Sequence, residues 1–192
     1  LSLHYQPIFE LRSGRVRALE ALLRWRRPGY GLVRTDRFIA VAEQSSLITR
    51  LQQWVIPRAL AELRFLVPGD PSAGPDIWIN MSGFTLSRPD IATSMATWLN
   101  EAQIPAPRVT LELTETGLLR DEVAAQKALV ALREVGVQLA IDDFGTGYSS
   151  FSYLKKFPIS NLKIDRSFIS DVTTNKDARA IVKAIIAMAK GL

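Results

Sequence analysis

The 192-residue chain carries 24 Lys and Arg against 19 Asp and Glu, a formal charge of +5, with 47% hydrophobic side chains and no cysteine. That is apolar material for one sizeable core, and the missing thiols exclude disulfides, zinc–thiolate centres and cysteine nucleophiles while fitting a reducing compartment. The longest clean apolar run, Ala184 to Ala189, falls short of the roughly 18 residues of a membrane span; no Lys/Arg block marks a nucleic-acid polymer as partner, and the basic balance suits a smaller anion or a solvated surface.

Leu1 leads straight into an alternating pattern with no signal peptide, and a start on Leu reads as cut from a longer protein. Leu3 to Leu11 and Val16 to Trp25, joined at Arg12-Ser13-Gly14-Arg15, predict a β-hairpin. Asp36 is placed to cap a short helix to Glu43. Ser46 precedes a longer one in which Leu47, Leu51, Trp54, Val55, Ala59, Leu63 and Leu66 recur at helical spacing, with a kink expected at Pro57. A loop from Pro68 to Pro75 leads to a strand over Ile77 to Asn80. Then come helix Ser87 to Ala102 and strand Val109 to Leu113, helix Glu122 to Val135 and strand Gln138 to Ile141, helix Phe151 to Lys156 and strand Leu162 to Ile164. A last helix, Lys176 to Lys190, ends at Gly191.

Helices between strands imply parallel pairing. The six strands fit either an open doubly wound sheet or an incomplete barrel. Polar residues at the C-terminal ends of several strands favour the barrel, one domain over residues 1–192, with about two strand–helix units of the usual (β/α)8 set expected beyond.

Those polar residues are Glu20, Asn80, Glu112 and the pair Asp142-Asp143, each ending or interrupting a run of Val, Ile, Leu and Trp. A carboxylate there is costly unless a cation or donor compensates it, and hard oxygens gathered from several strands describe a site for Mg²⁺ or Mn²⁺. One such Glu alone reads more often as a surface or ion-pair residue; Asn80 shifts the balance, because an amide after Ile77-Trp78-Ile79 gains nothing from burial yet offers a neutral hard oxygen. Lys163, inside Leu162-Lys163-Ile164, is either a paired ammonium or a snorkelling one. Arg24 returns to the strand face of Glu20, where its fork could grip a phosphate, or it belongs to a cationic turn with Trp25-Arg26-Arg27. Phe144 to Ser150 is glycine-rich but lacks a P-loop ending, and its glycines allow a tight turn and a mobile loop after Asp143. Asp165 either orients Lys163 or caps a helix near Ser167. His4 reads as structural, and Trp25, Trp54, Trp78 and Trp98 as core.

Taken together, Glu20-Ala21-Leu22, Asn80-Met81-Ser82, Glu112-Leu113-Thr114-Glu115, Asp142-Asp143-Phe144-Gly145-Thr146-Gly147 and Leu162-Lys163-Ile164-Asp165, with Tyr5-Gln6-Pro7-Ile8 ahead of them, resemble the EAL family of cyclic di-GMP phosphodiesterases over essentially the whole chain. The resemblance implies a TIM-like (β/α)8 barrel with an antiparallel first strand, C-terminally incomplete here, that uses two divalent ions, Mg²⁺ or Mn²⁺, to hydrolyse cyclic di-GMP to linear pGpG. It implies that Glu20, Asn80, Glu112 and Asp142 hold one ion, that Asp142 bridges to the second, which Asp143 completes, and that Lys163 contacts the attacking water. Gln6 and Leu22 would line the nucleotide pocket. Glu115 would pin the loop after Asp143 and link it to a homodimer. A sensor or GGDEF-type domain is expected upstream, in a cytoplasmic protein whose parent could be membrane-anchored. The family's Glu-Gly-Val-Glu strand, which adds another acid, has no counterpart in these residues. Two other readings stand beside the enzyme: a receptor that binds cyclic di-GMP without cutting it, which typically loses metal ligands that are all present here, and a barrel hydrolase of another phosphodiester.

Overall fold

The structure is a computed structural model that describes residues 1–66, 74–145 and 156–191. Strands β1 (Ser2–Phe9) and β2 (Val16–Arg27) form the expected hairpin, with Gly14 at φ +68° in the turn. A short β3 (Gly31–Val33), not anticipated from the sequence, folds back antiparallel on the end of β2. The chain continues through α1 (Thr35–Glu43), α2 (Leu47–Leu66), β4 (Asp76–Asn80), α3 (Gly83–Leu86) and α4 (Ile91–Ala102). After a 3₁₀ turn, Ala106–Arg108, come β5 (Val109–Thr114), α5 (Glu115–Leu119), α6 (Glu122–Val135), β6 (Gln138–Phe144), β7 (Asn161–Ile164), α7 (Arg166–Ser170) and α8 (Lys176–Gly191).

The sheet order is β1-β2-β4-β5-β6-β7, with β3 attached to β2. Among the described residues only β1 and β3 run antiparallel to their neighbours; the β2–β4, β4–β5, β5–β6 and β6–β7 pairings are parallel. This is the barrel-type order, with the first strand reversed, that the sequence predicts. Its cause is visible in β5, where Val109 to Leu113 are buried without alternation, as a parallel strand covered on both faces must be. The core joins the inner sides of α2, α4 and α6 to the sheet through Leu60, Leu63, Ile77, Ile79, Met95, Leu111, Leu113 and Leu129. At the N-terminal rim, Asp76 forms ion pairs with Arg17 at 3.3 Å and Arg108 at 3.5 Å, tying β2, β4 and the start of β5 together.

Local chemistry revises several element boundaries. Asp36 does not cap α1; Arg34 holds that position, and Asp36 sits in the first turn paired with it at 2.6 Å. The stretch expected as one helix from Ser87 is α3 followed by α4: Ser87 is the C-cap of the first, Pro89 comes two residues later, and Asp90 restarts the chain as the N-cap of the second. Helix α2 runs through Pro57, but its buried face is Ile48, Gln52, Val55, Ile56, Ala59, Leu60 and Leu63. Leu47 at 48% and Trp54 at 38% exposure lie off that face, and Leu66 is exposed as well. None of the four tryptophans is fully buried; Trp25 instead packs edge-on to Phe38, ring centroids 5.7 Å apart. The predicted helix Phe151 to Lys156, apart from Lys156, and most of the glycine-rich loop fall in residues 146–155, outside the described ones.

Candidate active site

Register brings the polar strand ends to one rim. Parallel pairing sets Asn80 level with Glu112 and Thr114 level with Asp142, while Gln6 of β1 stands opposite Glu20 of β2. From β7, Lys163 then reaches inward, and its Nζ lies 2.8 Å from Glu112 Oε2, 3.2 Å from Asp142 Oδ1 and 3.3 Å from Glu20 Oε2. Asn80 joins through its amide nitrogen, which donates to Glu20 Oε1 at 3.1 Å. Four side chains expected to gather around cations, and the lysine expected beside them, thus meet within hydrogen-bonding distance although they are up to 143 residues apart in sequence.

The electrostatics follow from burial. Glu112 is 1% exposed, and removal from water pushes its carboxyl up to about 8, an effect that the adjacent Lys163 only partly offsets. Burial works against the Lys163 ammonium too, but the carboxylates of Glu112, Asp142 and Glu20 outweigh it and hold the group above its ordinary range, so it is charged at neutral pH. Asp143 is raised by partial burial, then by the neighbouring Asp142 and Asp165 carboxylates. Its backbone takes φ 52°, a left-handed value that Asp tolerates, and its N–H donates to Asp142 Oδ1 at 3.0 Å. Asp165 takes the capping position: it accepts from the Ser167 N–H at 2.8 Å and opens α7.

The donor set fits a divalent cation. With Glu112 ionised, as a bound cation would favour, three carboxylates against one ammonium leave two negative charges at the rim, and Glu112 Oε1 is buried without a hydrogen-bond partner among the described residues. An orphaned carboxylate oxygen in such a place calls for a cation, and the oxygens are of the hard type that Mg²⁺ and Mn²⁺ select. Among the described residues no group of three or more His, Cys, Asp or Glu side chains already closes on one point as a cage; here the carboxylates converge on an ammonium.

The remaining sequence-predicted residues are placed as follows. Leu22, half-buried, lines a cavity of about 340 Å³ that also touches Glu20, Asn80 and Glu112. Gln6 is exposed on β1. Arg24 Nη1 donates to the Leu23 carbonyl at 3.0 Å and to Thr35 Oγ1 at 3.4 Å, so its fork is engaged by its own surroundings. Glu115 opens α5 directly after the capping Thr114, and the loop it was expected to pin lies outside the described residues. Sequence reasoning missed Gln52, whose amide reaches the Asn80 carbonyl from α2. The available signal was a polar residue at the helical spacing of Ile48, Val55, Ile56 and Ala59.

Comparison with known proteins places these features in context. The EAL domain family profile matches residues 1–192. A Pseudomonas aeruginosa protein described as cyclic di-GMP phosphodiesterase NbdA is 43% identical over 195 residues, covering 100% of this chain and 24% of its own length. The bifunctional diguanylate cyclase/cyclic di-GMP phosphodiesterase MucR of the same organism is 38% identical over 192 residues, covering 100% and 28%. The chain therefore spans about a quarter of the length of these relatives. Among solved structures, the PaMucR phosphodiesterase in complex with c-di-GMP superposes with TM-score 0.90 at 37% identity, covering 99% of this chain and 76% of that one. The EAL enzyme Bd1971, bound to cAMP and cyclic di-GMP, does so with TM-score 0.92 at 33% identity, covering 99% and 52%.

Proposed function

The chain belongs to the EAL domain family, and from that premise we propose that it hydrolyses one phosphodiester bond of cyclic di-GMP to give linear pGpG, with two Mg²⁺ or Mn²⁺ ions as cofactors. The observation that carries this reading is the convergence of Glu20, Glu112 and Asp142, from three strands, within 3.3 Å of one ammonium. Glu20, Asn80, Glu112 and Asp142 are the residues that would hold one ion, with Asp142 and Asp143 serving the second. When bound, the ions activate water and neutralise charge on the phosphoryl oxygens.

The protein's own groups do the rest. Lys163, kept charged by its neighbours, serves as a hydrogen-bond donor that orients the attacking water and not as the base that deprotonates it. Leu22 provides apolar lining beside the reacting phosphate, in the cavity that adjoins Glu20. Gln6 offers an amide to a guanine edge. Arg24 is positioned at the same end of β2 to meet a phosphate after exchanging its contact with Thr35. Similarity to NbdA and MucR, whose descriptions name this activity, supports the substrate. The greater length of those relatives supports a parent protein with an upstream sensor or GGDEF-type domain, and Glu115 at the start of α5 is the proposed link to a homodimer. No helix among the described residues is long and apolar enough to cross a membrane; a cytoplasmic location for the domain is part of the proposal.

The test is incubation of the protein with cyclic di-GMP and Mg²⁺ or Mn²⁺, followed by chromatography of the products. Linear pGpG is expected, and Glu20→Ala is expected to abolish it. Binding without product in the wild type would reassign the chain as a receptor.

A further inference from the structure

We propose that Gln52 is a positioning residue that sets the Asn80 corner of the metal site, an inference that rests on the metal-dependent reading above. Gln52 is 7% exposed on the apolar face of α2. A primary amide there is costly unless both halves are used, and both are. Its Nε2 donates to the Asn80 carbonyl at 3.2 Å, and its Oε1 accepts from Ser82 Oγ at 3.2 Å. Ser82 Oγ in turn accepts from the Thr85 N–H at 3.3 Å and so caps α3. On the strand side, the Met81 N–H donates to the Glu112 carbonyl at 2.7 Å.

The turn Asn80-Met81-Ser82 is therefore held between β5 and α2, with Gln52 reaching both its ends from α2 while Thr85 Oγ1 of α3 meets Ser82 Oγ at 3.3 Å. The Asn80 side chain itself is exposed and, among the described residues, is tied only through its amide nitrogen to Glu20, so its backbone is what fixes where its oxygen can go. Tenths of an ångström at a ligand oxygen matter to a hard cation, and partners one bond removed from a ligand typically change metal affinity by about 10-fold to 100-fold when lost. Leu at position 52 keeps the volume and loses both hydrogen bonds. Glu keeps the acceptor for Ser82 and, when ionised, loses the donor to the Asn80 carbonyl.

The experiment titrates the protein with Mn²⁺ alone and reads the loss of the free-ion EPR signal, alongside thermal unfolding in EDTA and steady-state turnover of cyclic di-GMP. For Gln52→Leu and Gln52→Glu, the Mn²⁺ dissociation constant should rise about 10-fold. KM for the dinucleotide should stay within about 2-fold, and kcat should recover as Mn²⁺ is raised. Wild-type Mn²⁺ affinity in a folded variant overturns the proposal, and so does failure of both variants to fold, which would make Gln52 a structural residue. A wild type that binds Mn²⁺ but does not turn over refutes the enzyme reading and leaves the Gln52 comparison intact; a wild type that binds none refutes the metal reading.

Discussion

Replacing Glu112 by Gln separates the burden this carboxylate places on the fold from the use made of it. Its raised value means that the folded protein holds a proton that the unfolded chain releases, so between about pH 4.5 and 8 stability falls as pH rises. The rise from the ordinary 4.5 to about 8, at about 1.36 kcal/mol per pH unit, sets a ceiling of about 5 kcal/mol for the penalty in metal-free protein. Relaxation of the site and sharing of the charge with Lys163 reduce the expected figure to the order of 2 kcal/mol, or about 1 M urea at an m value of about 2 kcal/mol/M. The assay is urea unfolding in EDTA at pH 5 to 9. The wild-type midpoint should decline across that window, and the Glu112→Gln midpoint should stay nearly level and exceed it at pH 8. Added Mn²⁺ should stabilise the wild type and not the variant. A flat or rising wild-type curve in EDTA, or a variant weaker than wild type at every pH, would refute the assignment of Glu112 as a buried, under-compensated carboxylate.

Two further perturbations address the scaffold. Tyr5 donates to Glu62 at 2.6 Å, and burial followed by that bond raises its hydroxyl above the ordinary value; the stability it contributes is fully present below pH 10 and is lost as pH climbs further, so Tyr5→Phe should flatten the decline in urea midpoint above pH 10. A Cβ added at Gly83 would stand 2.3 Å from the Gly117 carbonyl oxygen, where α3 and α5 touch backbone to backbone, so Gly83→Ala should cost about 1–3 kcal/mol in chemical denaturation; an unchanged midpoint would show that this contact yields freely.

Much of this was legible in the chain. The strands that carry Glu20, Asn80, Glu112 and Asp142 declare themselves because buried parallel strands are continuous apolar runs, and an acid or amide at the end of one is conspicuous. The reversed β1 follows from a hairpin too short for a crossover. What was hidden has equally physical causes. Three residues, Gly31 to Val33, are too few to show a period of two, so β3 left no trace. The face of α2 was misjudged because Leu47, Trp54 and Leu66 are apolar yet exposed, and apolar identity limits burial in one direction only. Lys163 could be read as paired or snorkelling from its own segment; its three partners come from strands distant in sequence, and only the register of the folded sheet brings them to it.

That ammonium also bears on the order in which the molecule is completed. A domain whose acids already share an internal counter-charge can reach its final shape in a cell momentarily poor in divalent ions, so loading becomes an adjustment of a finished protein and not a condition of its maturation. Cation supply would then set how much of the pool is competent, and would add stability to a fold already formed without it.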